Sequence, residues 1–358
     1  MKKIYYITAV FATLFLVGCG DGIDLPGVNV ETDLNKIPLP DNNVNLEQVE
    51  LKPSTEPMLH EGLHTEEDFQ RIRDKKAAGE EPWVSAYQLL VESQFSQKTA
   101  DTYPTEWIKR GISGDENYMN AARGATIAYQ QALRWKIEQD DEYAAKAVEN
   151  LNKWVQTCVG VTGNTNLSLA AGLYGYEFAI AGELLRDYEG WDRADFAAFQ
   201  NWLLKVFYPA NDDFLKRHHD TNALHYWANW CLCNIAAKMA IGIVTDRRDI
   251  YNEGIGHLQT GDTNGRLRRA IYHDYAPDYN FAQWQESGRD QGHTLMCVGL
   301  MGIICQLAWS QGDDFFAYDD NLFMRACEYA ACCNYTNETV PYTTYIWQKQ
   351  SQWGYPIP

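Results

Sequence analysis

The stretch LMCVGLMGIICQLAW, residues 295–309, carries no charged side chain. Wound as a helix at about 100° per residue it is apolar around its whole circumference, and a helix of that kind is buried on every side. WANWCLCNIAAKMAIGI, residues 227–243, reads the same way, with Lys238 as its only charge. Other helical segments differ: EYAAKAVENLNKWVQ (142–156), YEFAIAGELLRDY (176–188), ADFAAFQNWLLKVF (194–207) and NLFMRACEYAACCNY (321–335) have apolar residues at three- and four-residue spacing. TEEDFQRIR (65–73) opens with a capping pattern, and strand-like alternation is scarce. Amphipathic helices packed outside fully apolar ones predict an all-α fold, an α/α toroid of inner and outer helices. The connections EQDDEY (138–143), VTDRRDIY (244–251) and QGDDFFAYDD (311–320) are each an acidic turn followed by an aromatic, which fits stacked helical hairpins.

The N-terminus answers a different question. A basic MKK, an apolar IYYITAVFATLF and the tetrad Leu16-Val17-Gly18-Cys19 match the regions of a bacterial lipoprotein signal. Residues 1–18 therefore read as a removed signal peptide and Cys19 as the lipidated N-terminus. The apolar run is shorter than the roughly 20 residues a bilayer-spanning helix needs. Residues 19–57 read as a flexible polar tether, and residues 58–358 as one folded domain. The expectation is a cell-envelope lipoprotein held to a membrane by its lipid.

The formal net charge is −18, and it becomes −20 once Lys2 and Lys3 leave with the signal. That balance excludes nucleic acid as an expected partner and requires any polyanion to be met by locally gathered cations. Lys109-Arg110, Arg123, Arg134 and Arg217-His218-His219 are the candidates. Of the nine cysteines, Cys231, Cys233, Cys297, Cys305, Cys327, Cys332 and Cys333 fall in apolar helical patterns and read as buried free thiols. No cysteine spacing resembles a zinc or redox motif, and His218, His219 and His225 lack a supporting carboxylate at helical spacing. Neither a metal nor a cofactor is expected.

Polar residues gather at the mouths of both apolar helices. In QESGRDQGHT (285–294), Glu286, Arg289, Asp290 and His293 share one helical face that continues into Cys297, Leu300, Met301 and Ile304. Ahead of the other helix, Asn222, His225 and Asn229 lie three and four residues apart on one stripe, with Trp227, Asn234 and Lys238 on the opposite side. One such cluster alone reads as a structural network in which Glu286 or Asp290 holds Arg289 and caps the helix. Two clusters at equivalent places line one cleft, with amide, imidazole and guanidinium groups converging on it.

These residues carry a resemblance. HEGLHTEEDFQRIRDKKAAGEEPW (60–83), HYWANW (225–230), QESGRDQGHT (285–294) and QGDDFFAYDDN (311–321) are similar to stretches of the alginate lyase superfamily of polysaccharide lyases. The chain is most like the single-domain members acting on alginate and glucuronan, from about residue 60 to Trp347. The resemblance implies an incomplete α/α toroid with a long cleft that takes an anionic polysaccharide and cuts uronic-acid polymers by β-elimination. It implies Asn229 and His225 as the pair that neutralises the substrate carboxylate, and Arg289 and His293 as the family's arginine-helix positions. Glu286, Asp290 and Asn222 are supporting residues, the first two orienting Arg289 and His293. The sequence departs from the family pattern twice. Ala223 and Leu224 stand where many relatives have asparagine followed by histidine, and Met296 stands where many have a tyrosine, seven residues after the arginine. The proton-transferring group is then His293, or a tyrosine from Tyr272, Tyr275, Tyr279, Tyr342 and Tyr345.

Two rival functions remain at the level of sequence. A glycoside hydrolase on a similar toroid needs two carboxylates about 5–10 Å apart, and Glu286 with Asp290 is the available pair. Arg289 between them would hold one ionised, which a general acid does not tolerate. A non-enzymatic lipoprotein that binds glycans through its aromatic residues is the other.

Overall fold

The computed structural model describes residues 54–336, 340–345 and 353. The signal peptide, Cys19 and residues 19–53 of the tether reading lie outside the described residues. Residues at the end of that reading lie along the domain: Arg248 Nε donates to the Glu56 carbonyl at 2.8 Å and Asn252 Nδ2 to the Ser54 carbonyl at 3.0 Å.

The order of elements is α1 (Glu66–Ala77), α2 (Trp83–Glu92), β1 (Trp107–Arg110), α3 (Tyr118–Glu138), α4 (Asp141–Thr157), β2 (Gly160–Gly163), α5 (Leu167–Leu184), α6 (Arg193–Val206) and α7 (Tyr208–Arg217). It continues with α8 (Ala228–Val244), α9 (Arg248–Thr260), α10 (Leu267–Ala270), β3 (Ile271–Asp274), β4 (Ala282–Trp284), α11 (Gln291–Ser310) and α12 (Tyr318–Tyr335). Helices α3, α5, α8 and α11 form the inner row, each packing on the next, and α4, α6, α9 and α12 lie outside them. This is an incomplete α/α toroid.

Burial follows the sequence patterns. Every residue of α8 is buried, and of α5 all but Leu167 and Glu177. Outer helix α4 instead buries one stripe, Tyr143, Ala144, Ala147, Val148, Leu151 and Trp154. Lys238 is the cation that α8 buries, and it is neutralised by Asp212 Oδ1 at 2.7 Å and Glu253 Oε2 at 2.5 Å, tying α8 to α7 and α9. Without those carboxylates a fully buried ammonium would be costly. Among the described residues, the cysteines from Cys158 onward are free thiols.

The inner helices run parallel and touch at equal depth. Gly172, in the second turn of α5, faces Cys233 in the second turn of α8, where a Cβ would stand 2.5 Å from the Cys233 sulfur. Asn229, at the start of α8, meets Met296 in the second turn of α11. The parallel strands β1 and β2 lead into α3 and α5 in the same sense, so all four inner helices present their N-terminal ends, and the positive ends of their dipoles, to one end of the toroid.

Candidate active site

At that end, the chain before α11 does not run as the continuous helix expected from the sequence. Residues 285–288 form a 3-10 turn, Asp290 is extended at φ −169°, and α11 starts only at Gln291. Glu286, Arg289, Asp290 and His293 are thus not one helical face but two consecutive i, i+3 pairs on either side of a break. The break has a local cause: Asp290 is the N-cap, its Oδ1 accepting the His293 backbone N–H at 2.8 Å.

The second carboxylate oxygen of Asp290 holds the His293 ring, Oδ2 to Nδ1 at 2.6 Å. One side chain thereby starts the helix and fixes the orientation of an imidazole in its first turn. With Nδ1 donating to Asp290, Nε2 is the nitrogen that can accept a proton. Burial raises the Asp290 carboxyl, but the bonds and charge of His293 and the nearby Arg289 outweigh it and hold the group below the usual carboxylate range.

Glu286 is completely buried. Its Oε1 accepts the Asn229 backbone N–H at 3.0 Å and lies 3.5 Å from the Cys297 sulfur, while Oε2 accepts from Arg289 Nη1 at 3.0 Å. Gln285 makes the parallel link, accepting the Ala228 N–H at 2.8 Å. The two side chains before α11 therefore satisfy the first N–H groups of α8 and lock the two inner helices in register. Arg289 also stacks on Trp227, 5.4 Å from the ring centroid.

Asn229 is 1% exposed, and its Nδ2 meets nothing stronger than the Met296 thioether at 3.6 Å. Its Oδ1 is buried with no hydrogen-bond donor among the described residues. A buried amide left this weakly bonded is poised to bind an incoming group. Met296, the position where many relatives carry tyrosine, does face this amide, but a thioether moves no proton.

Asn222 and His225 fall elsewhere than the sequence pattern implied. Helix α8 begins at Ala228, so both precede it and share no helical stripe with Asn229. Asn222 is exposed and its Oδ1 accepts the Leu224 N–H at 2.8 Å, which makes it a turn former. His225 packs edge-on against Tyr226, with ring centroids 4.9 Å apart, in a half-buried position at the entry to α8.

Of the candidate tyrosines, Tyr345 lies nearest these groups. Its ring is 5.9 Å from that of Trp227, and its hydroxyl accepts from Gln285 Nε2 at 2.6 Å, keeping its own proton to donate. Burial pushes the phenol up to about 12. Tyr272 donates to the Thr343 carbonyl, Tyr275 to Gln283 Oε1 at 2.5 Å, and Tyr279 is exposed. Tyr345 is one of the tyrosines the sequence offers, but the contribution of Gln285 was not legible there, because its contact with Tyr345 spans sixty residues.

The carboxylates do not make a hydrolase pair. Glu286 is held by Arg289 and backbone donors, and Asp290 by His293, so neither is placed to protonate a leaving group.

A family model described as alginate lyase matches residues 73–338. No curated protein sequence matches this chain. Among solved structures, alginate lyase A1-III from Sphingomonas species A1 superposes with a TM-score of 0.54 at 12% identity, covering 77% of this chain and 79% of that one. A tyrosine-to-phenylalanine variant of A1-III complexed with a tetrasaccharide superposes with a TM-score of 0.53 at 14% identity, over 77% of this chain and 79% of that one. An alginate lyase from Bacteroides ovatus gives a TM-score of 0.54 at 14% identity, over 75% of this chain and 82% of that one. With the family model spanning both inner-helix mouths and most of the toroid, the chain belongs to the alginate lyase family of polysaccharide lyases.

Proposed function

We propose that this polysaccharide lyase cleaves a uronic-acid polymer such as alginate or glucuronan, with Asn229, Arg289 and His293 as its reacting centre. The supporting observation is their convergence where α8 and α11 begin: a weakly bonded amide, a stacked guanidinium and an Asp-oriented imidazole.

Elimination removes the C5 proton beside the uronate carboxylate, so negative charge builds on that carboxylate as the bond breaks. Asn229 Nδ2 and the Arg289 donors not engaged by Glu286 neutralise it, aided by the N-terminal ends of the inner helices. His293 Nε2 takes the C5 proton, and Asp290 stabilises the imidazolium that forms. The departing glycosidic oxygen needs a proton, and Tyr345, kept protonated by burial, supplies it. His225 borders the cleft beside Tyr226 and contacts the polymer rather than the reacting carbon. Glu286 acts through others, setting Arg289 and the first turn of α8.

The test is a pair of variants. His293→Ala and Asn229→Ala should each lower kcat on polyuronate by about a hundredfold or more while circular dichroism and Tm stay near wild type. Near-normal elimination by His293→Ala would remove the base, and near-normal elimination by Asn229→Ala would remove the neutraliser. We further place the enzyme in the cell envelope, anchored through lipidated Cys19. Cys19→Ala should then leave the membrane fraction, and an unchanged distribution would reject the anchor.

A further inference from the structure

The toroid buries several arginines, and most are matched by a carboxylate. Arg134 pairs with Glu138, Arg186 with Glu183 at 2.8 Å, and Arg325 with Asp274 at 2.6 Å. Arg110 is the exception. It is only 4% exposed, its Nη1 is buried without an acceptor, and no carboxylate among the described residues lies within ion-pair distance of it. Its guanidinium instead sits 4.6 Å over the ring of Tyr118, which stacks on Tyr174 with the ring planes 12° apart. A guanidinium stays charged at any ordinary pH, and a ring face offsets only part of the cost of burying it. The arrangement lacks an anion.

The position of Arg110 says which anion. It ends β1, which pairs in parallel with β2, Arg110 opposite Gly163. These strands lead into α3 and α5, so the ribbon lies over the N-terminal end of the inner row, the end that carries Asn229 and His293. Polar and aromatic side chains bridge the interval: Ser168 in the first turn of α5 bonds His219 Nε2 at 3.0 Å, and the His219 ring lies 5.8 Å from that of Tyr226, just ahead of α8. From the α3–α5 side to the junction of α8 and α11 is about two interhelix spacings, roughly 16–20 Å.

We propose that Arg110, backed by the Tyr118–Tyr174 pair, is a remote carboxylate subsite that grips a uronate unit several sugars from the cut. Unlike the proposed reaction centre it contributes nothing to bond breaking. It contributes length: a polymer that spans the toroid end reaches Arg110, whereas a short oligomer bound at the reacting centre does not. It also supplies one of the local cations that a chain of net charge −18 needs in order to hold a polyanion.

The proposal rests on the polyuronate reading, and the test separates the two. Binding is measured calorimetrically in the catalytically disabled His293→Ala protein, with and without Arg110→Met, using long and short oligomers of mannuronate, guluronate and glucuronate. For the uronate that binds, Arg110→Met should weaken the long oligomer by about 10- to 100-fold, the range for losing a charge-assisted hydrogen-bonded contact, and leave the short one unchanged. Arg110→Lys, which keeps the charge but not the planar fork, should fall between. Without ligand, Arg110→Met should melt no lower than its parent, because an unmatched buried charge has been removed. Equal affinity for the long oligomer in both proteins, or the same loss for long and short, would overturn the subsite. So would a fall in the melting temperature, which marks a structural pillar. If neither protein binds any of the three uronates, the polyuronate reading fails and the ligand assigned to Arg110 goes with it.

Discussion

Replacing Asp290 with asparagine separates its two jobs. In the native protein Oδ1 caps α11 through the His293 N–H at 2.8 Å, and Oδ2 holds His293 Nδ1 at 2.6 Å. Asparagine is as good an N-cap as aspartate, so Asp290→Asn should keep the cap and change stability by well under 1 kcal/mol. The charge-assisted bond to the ring is lost, a term of about 1.5–3 kcal/mol. An amide that donates to Nδ1 also moves the imidazole proton to Nε2, the nitrogen required as base. Together these should lower kcat by about 10²–10⁴, the range for losing general base catalysis, while KM changes little. The assay is the initial rate of ultraviolet absorbance from the unsaturated product, read beside thermal denaturation. Asp290→Ala is the companion: it should lose both activity and about 1 kcal/mol of stability from the cap. A kcat for Asp290→Asn within about threefold of wild type would refute the assignment of an Asp290-oriented His293 as base. Because the folded pKa of Asp290 is lowered, its contribution to stability is present above the unfolded value and lost as pH falls through the folded one.

Three further outcomes follow from other parts of the fold. Glu286→Gln leaves Arg289 without its counter-ion and weakens the tie to the Asn229 N–H, so chemical denaturation should show a loss of about 3 kcal/mol together with reduced turnover; unchanged stability would deny Glu286 its positioning role. Gly172→Ala puts a methyl 2.5 Å from the Cys233 sulfur and 3.0 Å from the Asn234 backbone nitrogen, which should cost about 1–3 kcal/mol in a melting experiment, and a neutral result would mean that α5 and α8 are not clamped there. Burial lifts the Glu177 carboxyl from 4.5 to about 8, so wild-type stability should decline as pH rises across that window; Glu177→Gln should flatten the decline, and parallel pH profiles for the two proteins would contradict it.

The fold was legible wherever helices were uniformly apolar. Residues 228–243 and 295–309 fall within the inner helices α8 and α11, with Trp227 as the N-cap of α8. Helix α5 is almost as buried, yet its second half reads as amphipathic because Glu177 and Glu183, with Arg186 just past its end, interrupt the apolar pattern. Those charges are handled in three dimensions: Arg186 bonds Glu183 and the carbonyls of Ile243 and Val244. Helix α3 is hidden in the same way by buried Gln130, Gln131 and Arg134. The ribbon of β1 and β2 is four residues a strand and joins segments some fifty residues apart, too short and too distant for alternation to reveal.

At the site, the pairing of Glu286 with Arg289 and of Asp290 with His293 was implicit in three-residue spacing, which turns and helix starts share. What spacing did not disclose was the break at Asp290, although an aspartate shortly before an apolar helical stretch is itself a cap signal. Asn222 and His225 do not share a helical stripe with Asn229, because α8 begins only at Ala228 and a turn precedes it. Trp227 and Gln285 join the site only through tertiary contacts, for which a single sequence holds no signal, and only such contacts single out Tyr345 among the candidate tyrosines.

The most direct measurement mixes the purified protein separately with polymannuronate, polyguluronate, glucuronan and hyaluronan, and follows both ultraviolet absorbance and reducing ends. Elimination predicts that the two signals rise together on at least one of these polyuronates, with the His293→Ala protein silent on the same substrate. Reducing ends that accumulate without absorbance would mean hydrolysis, and would contradict the chemistry assigned to Asn229, Arg289 and His293.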